Sequence, residues 1–536
     1  MTSFTEGSYP PAVKAELERQ RLVQAVKDWS LAHGLVVRPP ATVAPDDLDE
    51  ILSMNAPVTL FPSPFPRRCF EEAKAVQTTY NELYARISQD DGFLGKIVQE
   101  VAGGDEFIAQ LWDVHLRVKQ EGYVQNLALG LFRSDYMVHQ DGDDLQIKQV
   151  EFNTIASSFG GLSAQTSLLH KHLSQTSYPL LRDAGARAAL DLPPNESTRG
   201  LAAGLKAAAD AYGPSELGHR TCVVFLVQGG ERNVFDQRHL EYELVRQTAG
   251  AVPVFRVPFA EILARTSIAA GSAKRQLLYH LPSGGDGDGD GDGEGLVFEA
   301  AVVYLRAGYG PSDYPDAAAW EARFQIERSA AIACPSVLTQ LAGMKKVQQV
   351  LATPETSSSS SANNNSNTPP YSTALRRFIH DDASLAGLWR TFANIFPMDA
   401  STAAGREARR LATDATACQG YVLKPQREGG GNNTYRGAIP GYLATVPEEH
   451  WGSYILMELI TPPPLSNTIL RGGKLEQGGV ICELGVYGTC LWDQSSMAGA
   501  ILHSEESGYL LRTKGDQSEE GGVAAGFGCM DSCSLV

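Results

Sequence analysis

A lysine, an arginine and a glutamate crowd into Lys424-Pro425-Gln426-Arg427-Glu428, and Gly429-Gly430-Gly431-Asn432-Asn433-Thr434-Tyr435 follows directly. Consecutive glycines let a backbone turn sharply and bring its N–H groups close to a bound anion, and Lys424 and Arg427 add positive charge beside them. That combination suits phosphate. Glu428 adds a hard oxygen ligand of the kind Mg²⁺ takes together with phosphate oxygens and water, so the segment suits Mg-ATP. Taken alone, a glycine run with a nearby lysine and glutamate is equally a surface turn. It is neither a GxxxxGK[ST] loop nor a GxGxxG fingerprint.

A second set of oxygen donors, Glu151 and Asn153, stands at the end of an apolar run over 145–152. Residues i and i+2 share one side of a strand. The pair therefore reads either as the wet face of a strand or, with Glu428, as ligands converging on a metal. The small-residue turn Ala156-Ser157-Ser158-Phe159-Gly160-Gly161 comes next.

Periodicity indicates the elements that must position these groups. Residues 12–32 pattern as an amphipathic helix, and the proline-rich segment 56–66 leads into helical regions over 70–88 and about 92–122. Apolar runs at 126–132 and 145–152 flank the polar turn Asp141-Gly142-Asp143-Asp144, the pattern of two paired strands. From about 217, short β-branched runs alternate with a helical stretch at 234–248, which predicts an α/β unit with a mostly parallel sheet over 217–342. The rest reads as a helix at about 340–352 carrying Lys345 and Lys346, a helical stretch near 373–396, the glycine loop, and strands at 454–460 and 480–488. A segment with Arg512, Lys514 and the glycines Gly521 and Gly522 closes the chain. The expected division is 1–216, 217–342 and 343–536.

Two stretches, 284–295 and 353–372, have almost nothing to bury and are expected to stay disordered at the surface. Within the first, Asp288, Asp290, Asp292, Gly293 and Glu299 satisfy the spacing of an EF-hand calcium loop. Such a loop needs a helix on each side, whereas here a His-Leu-Pro-Ser-Gly turn precedes it and a strand-like run follows.

The chain has 536 residues, 43% hydrophobic and 20% charged, which is enough for at least two domains in one body. A formal charge of -17 argues against non-specific nucleic-acid binding. The N-terminal residues lack a basic region followed by an apolar core, and no apolar run reaches bilayer length, so the reading is soluble and cytoplasmic, without a membrane partner. The eight cysteines lie scattered, without zinc spacing, and are expected as reduced thiols. His170, His172 and His503 read as structural, since none stands in a motif with a matching carboxylate.

The segments FRSDYM (132–137), EFNTIASSFGG (151–161), ERNVFDQR (231–238), TQLAGMKKVQQ (339–349), VLKPQREGGGNN (422–433), YILME (454–458), LLRTK (510–514) and GGVAAG (521–526) occur in that order. As a series they resemble eukaryotic glutathione synthetase over nearly the whole chain apart from the two insertions. The resemblance implies an α/β ATP-grasp fold with an α+β body, an inserted substrate-binding domain and a glycine-rich lid. It implies a homodimeric ligase that joins γ-glutamylcysteine to glycine with ATP and Mg²⁺. By that likeness Glu151, Asn153 and Glu428 hold the metal. Lys345, Lys424, Pro425, Gln426, Arg427, Glu428, Gly429, Gly430, Gly431, Asn432, Asn433, Tyr435, Met457, Glu458, Leu459, Ile460, Glu483 and Lys514 bind ATP. Arg133, Ile155, Ala156, Ser157, Ser158, Glu231, Arg232, Asn233, Gln237, Arg306, Ala307, Gly308, Tyr309, Arg512, Val523 and Ala524 hold the dipeptide.

Residue chemistry agrees with those roles. Transfer of the ATP γ-phosphoryl group to a carboxylate crowds negative charge at one point, to be neutralised by Mg²⁺, Lys and Arg. Arg133, Arg512 and Lys424 are the catalytic candidates, and the arginines can grip oxygens bidentately. No side chain stands out as a covalent nucleophile, so catalysis would rest on positioning and electrostatics. The family usually has Asp where this chain has Ala307. The small Ala524 and Ala525 resemble the glycine-using members of the family, which implies glycine rather than β-alanine as acceptor. The rival readings are a homologous ligase with another amino-acid acceptor, or a non-catalytic nucleotide- or peptide-binding relative; the metal ligands and arginines argue against the latter.

Overall fold

The polar turn at 141–144 closes a hairpin, with Leu127–Asp141 and Asp144–Asn153 paired antiparallel. The first strand runs beyond its apolar stretch because Arg133, Ser134 and Asp135 continue it as buried polar residues. A computed structural model describes residues 10, 16–40, 42–43, 51–176, 190–282, 296–354, 371–495, 500–519, 523 and 528–536. In it the hairpin is the edge of a seven-stranded sheet, ordered Leu465–Arg471, Val58–Thr59, Gly528–Asp531, Ala500–Gly515, Lys474–Asp493, Leu127–Asp141 and Asp144–Asn153. Leu465–Arg471 also pairs with the start of Lys474–Asp493, curling that end of the sheet back on itself.

Successive strand residues face opposite ways, and both faces of this sheet are buried. Phe132, Leu484 and Val486 join one apolar cluster with Tyr80, Leu83 and Tyr84 of the helix Gln77–Ser88. Leu131, Tyr487 and Leu491 join another with Leu201, Leu205 and Ala208 of the helix Ser197–Tyr212. Gly488 permits the close approach of the first helix, since a Cβ there would stand 2.1 Å from Asn81 Oδ1.

The run CVVFLV lies inside the strand Arg220–Val227, wholly buried, as a strand covered on both faces must be. It pairs parallel with Val254–Pro258 and with Val297–Leu305, and the latter pairs parallel with Ile332–Cys334. Leu277–His280 and Thr266–Ile268 add an antiparallel edge. A third sheet, all antiparallel, takes the order Ile395–Pro397, Ile455–Glu458, Tyr421–Lys424, Thr434–Tyr435.

Some expectations shift. The stretch 373–396 is two helices, Thr373–Phe378 and Asp382–Thr391, and then a strand, because Asp381 caps a new helix by accepting from Ser384 N. The strand read at 480–488 extends to Lys474–Asp493. Tyr371 and Ser372, counted above with the second insertion, belong to the body: Tyr371 is buried and Ser372 caps the helix that follows. The rest of that insertion from 355 to 370, and the whole of 284–295, lie outside the described residues. Of the EF-hand set only Glu299 is described; it sits in the strand Val297–Leu305 with its carboxylate accepting from Tyr212 Oη at 2.6 Å and from Ser215. All eight cysteines are free and buried. Among the described residues no helix is long and apolar enough to cross a membrane.

Candidate active site

The glycine loop leaves the strand Tyr421–Lys424 and returns through Thr434–Tyr435, so its two ends are fixed by the pairs Val422 with Tyr435 and Leu423 with Thr434. At the first end the buried Lys424 donates from Nζ to the carbonyl of Val150 at 2.9 Å. That bond brings the third sheet against the edge strand of the first, where Glu151 and Asn153 lie. Lys345, the first residue of the helix Lys345–Ala352, closes the corner. Its Nζ stands 3.2 Å from Glu151 Oε2 and 3.1 Å from Glu428 Oε1. The other oxygen, Glu428 Oε2, is buried and has no hydrogen-bond partner.

The two carboxylates share one cation in a site of low polarity, and their protonation separates. Burial opposes the charge on Glu151, yet Lys345, Lys424, Arg512 and Arg133 hold it down at about 2. Burial pushes Glu428 up to about 7, Glu151 adding repulsion and Lys345 working the other way. Burial works against the charge of Lys345 too, but Glu151 and Glu428 raise it above its usual value. Lys424 is lowered, by burial first and by the like charge of Lys345, against the pull of Glu151.

Beside this corner two arginines meet on a carboxylate that sequence reasoning passed over. Arg133 donates from Nε and Nη2 to the two oxygens of Asp135, at 2.6 and 2.8 Å, and Arg512 donates to Asp135 Oδ2 at 2.9 Å and to Glu483. Asn153 Nδ2 reaches the same Oδ2 at 3.0 Å and Arg133 O at 3.2 Å, which leaves the amide oxygen as the atom suited to a cation. Asp135 is fully buried. Arg133 and Asp135 are i and i+2 on one strand, a same-face spacing that was the available signal.

The turn after Asn153 is held in a conformation that side chains resist, with φ of 51° at Ala156 and 74° at Phe159. Asp236 maintains it, accepting from Phe159 N at 2.7 Å, Gly161 N at 2.7 Å and Leu162 N at 3.2 Å at the start of the helix Gly160–Gln175. Arg306 adds bonds to Ser157 O at 2.9 Å and Ser158 Oγ at 2.8 Å, and Tyr487 donates to Ser158 O at 2.6 Å. Asp236 too was missed, although it lies inside ERNVFDQR.

These groups surround a cleft of about 560 Å³. Arg133, Glu151, Asn153, the turn Ile155–Ser158, Tyr309, Lys424, Arg427, Glu428, Gly429, Gly430, Asn432, Asn433, Tyr435, Met457–Ile460, Glu483, Arg512, Lys514 and Val523 all line it. Other candidates stand behind the wall. Lys345 reaches the cleft through Glu151 and Glu428. Gln426 is spent on structure, donating to Ser453 O at 2.8 Å and accepting from Lys346 N at 2.9 Å. Pro425 and Gly431 are not among the lining residues, and Arg427, which is, turns to Asp105 and to Gln426 O. Glu231 accepts from Asn233 N at 2.8 Å and Gln237 Nε2 at 3.0 Å, while Arg232 donates to Arg38 O at 3.2 Å and lines a smaller neighbouring cavity with Asn233. That cavity shares Phe159 and Val523 with the cleft. Ala307 is buried in an apolar cluster, and Gly308 holds a φ of 84°. Ala524, with Gly521 and Gly522, lies outside the described residues.

A glycine loop, a lysine between two carboxylates and paired arginines come together at this one cleft. Residues 16–535 match the family model described as eukaryotic glutathione synthase, ATP binding domain. The chain belongs to that family. Its relatives include the glutathione synthetase large chain of Schizosaccharomyces pombe, 38% identical over 96% of this chain and 97% of that protein. The glutathione synthetases of Xenopus laevis and Homo sapiens are each 36% identical, over 96% and 97% of this chain and 97% of either relative. Among solved structures, a glutathione synthetase-like effector from Globodera pallida in its apo form superposes with a TM-score of 0.69 at 21% identity, covering 98% of both chains. That likeness gives the fold, a mixed α/β body of the ATP-grasp kind.

Proposed function

We propose that this member of the glutathione synthase family is itself a glutathione synthetase, which joins γ-glutamylcysteine to glycine and converts ATP to ADP and phosphate. The observation that carries the reading is the corner in which Lys345 stands between Glu151 and Glu428 while Glu428 Oε2 remains buried and unpartnered. A buried carboxylate oxygen without a donor is costly unless a ligand completes it.

Hard oxygens from Glu151, Glu428 and Asn153 fit Mg²⁺. When bound, the ion would neutralise charge on the phosphates. The chain's own residues do the rest. Lys345 and Lys424 neutralise charge on the ATP side, with Asn432, Asn433 and the backbone of the glycine loop over the phosphates. Met457–Ile460, Tyr435, Glu483 and Lys514 form the nucleotide's remaining wall. Arg133 and Arg512, preoriented by Asp135 and Glu483, hold the cysteinyl carboxylate of the dipeptide against the γ-phosphoryl group. Phosphoryl transfer gives an acyl phosphate, and attack by the glycine amine at the acyl carbon expels phosphate. Water must be kept out meanwhile, and the glycine loop, with φ of 81° at Gly429 and 89° at Gly431, is suited to act as a cover. The remainder of the dipeptide is assigned to Ala156–Ser158, Glu231–Asn233 with Gln237, and Arg306–Tyr309.

The same reading takes 217–342 as the inserted substrate-binding unit between two parts of the ATP-grasp body, and the working form as a cytoplasmic homodimer. The test is phosphate release from Mg-ATP with γ-glutamylcysteine, offering glycine, alanine, serine and β-alanine as separate acceptors. Release that requires both dipeptide and glycine is expected. No release with any acceptor, despite ATP binding, would overturn the reading.

A further inference from the structure

Two of the segments assigned to the dipeptide, 231–237 and 306–309, follow two different strands of the second sheet, Arg220–Val227 and Val297–Leu305. Two residues without a role so far join them. Gln228 donates from Nε2 to Asp313 Oδ1 at 2.8 Å, and its Oε1 accepts from Tyr309 Oη at 3.1 Å. Asp313 Oδ2 in turn accepts the backbone N–H groups of Gly308 at 2.9 Å and Tyr309 at 3.1 Å. The result is a closed ring, from Gln228 to Asp313, through the backbone to Tyr309, and from its hydroxyl back to Gln228.

The ring ties the 308–313 turn to the end of the strand Arg220–Val227. Gly308 turns the loop with a φ of 84°, which glycine adopts freely. Its carbonyl is fixed from the other side by Tyr314 Oη at 3.2 Å and Gln340 Nε2 at 3.0 Å. The restrained residues face substrate, since Tyr309, Gly310, Pro311 and Ser312 line the cleft while Gln228 and Asp313 do not. Tyr309 also meets the cover, as a Cβ built on Gly429 would stand 4.0 Å from its Cε2.

We propose that Asp313 and Gln228 are positioning residues for the dipeptide, locking Tyr309 and the 306–313 loop in the arrangement that receives it. This rests on the function proposed above. A carboxylate that collects three N–H donors forms charge-assisted bonds, and removing it strands two backbone donors and an amide. Neither residue lies on the ATP side, so the effect separates the two substrates.

The test uses the full chain and the variants Asp313→Ala, Asp313→Asn, Gln228→Leu and the double variant Asp313→Ala/Gln228→Leu. It reads γ-glutamylcysteine binding by calorimetry, and KM for dipeptide and for ATP separately. The dipeptide Kd and KM are expected to rise about tenfold in Asp313→Ala and Gln228→Leu, while KM for ATP stays within about twofold. The double variant should be no worse than the worse single one, because either change opens the ring. Asp313→Asn should recover part of the loss, since the Gln228 amide can turn over and close the ring again. Unchanged dipeptide affinity in the single variants, or an equal rise in KM for ATP, would overturn the proposal. If Asp313→Ala does not fold, Gln228→Leu decides. A wild-type chain that binds dipeptide but releases no phosphate would instead overturn the proposed function, and the dipeptide Kd would still read the ring.

Discussion

Asp531 and Glu428 are both buried carboxylates, and the protein treats them in opposite ways. Asp531, on the strand Gly528–Asp531, accepts from Thr59 Oγ1 at 2.7 Å, Ser63 Oγ at 2.6 Å, Thr513 Oγ1 at 2.6 Å and Ser532 N at 2.7 Å. His170 completes the cluster, donating from Nε2 to Thr59 O at 2.9 Å and pairing through Nδ1 with Ser532 Oγ at 2.7 Å. Burial still pushes Asp531 above the usual carboxylate range, against His170 and the hydroxyls. Both of its oxygens have partners, and the strands they tie are those that seat the C-terminal segment. Glu428 has one oxygen on Lys345 and one on nothing. Of the other residues lining the cleft, Arg512 Nε and Ser157 Oγ are also buried without a partner, as are core atoms such as Trp492 Nε1 and Gln77 Oε1. The Asp531 cluster satisfies its carboxylate within the fold, whereas Glu428 keeps one carboxylate oxygen in reserve.

The contrast can be broken from either side. Glu428→Ala should lower kcat by about 10³-fold or more while thermal unfolding stays near wild type; retained turnover would place Glu428 with Asp531 as mere structure. Arg512→Lys keeps the charge but loses the planar guanidinium and its further donors, and a loss in kcat/KM of about a hundredfold is expected from steady-state kinetics. Asp531→Ala should do the reverse of Glu428→Ala, costing about 3 kcal/mol in urea denaturation because several hydroxyl and N–H donors lose their acceptor. Its turnover per folded molecule should be unchanged.

The smallest effect concerns His115, which is buried and lines a third cavity, one that shares no lining residue with the cleft. Burial drives it from the usual 6.5 to about 4, with Asp91 opposing and Lys119 assisting. The unfolded chain therefore binds the extra proton between those values, and the stability from a neutral His115 is present above 6.5 and lost as pH falls toward 4. His115→Gln should flatten the stability profile in that window by up to about one proton's slope, measured by denaturation at stepped pH.

Much of the site was legible before any fold was known. The glycine loop, Lys424 and Glu428 announce themselves by type and spacing, and the turn at 141–144 with its flanking apolar runs reads directly as the hairpin that carries Glu151 and Asn153. Asp135, Asp236, Gln228 and Asp313 were not read as parts of the site, because each acts by orienting another group; of the four, only Asp135 carried a local sign, its i, i+2 spacing from Arg133. Gln426 and Arg427 also take up bonds that their place in the loop does not announce: Gln426 bonds Ser453 and Lys346 while Arg427 turns to Asp105.

The sequence by itself determined which short segments can turn, extend or bind phosphate, because those properties depend on neighbours along the chain. Tertiary structure alone decided which charges meet. Lys345 finds Glu428 across 83 positions, Lys424 finds the Val150 carbonyl across 274, and Arg512 finds Asp135 across 377. Periodicity gives the face a side chain takes, but the partner on the opposite face is chosen by how the sheets pack. The same packing fixes how much water each charge loses, and so sets the protonation of Glu151 and Glu428 apart.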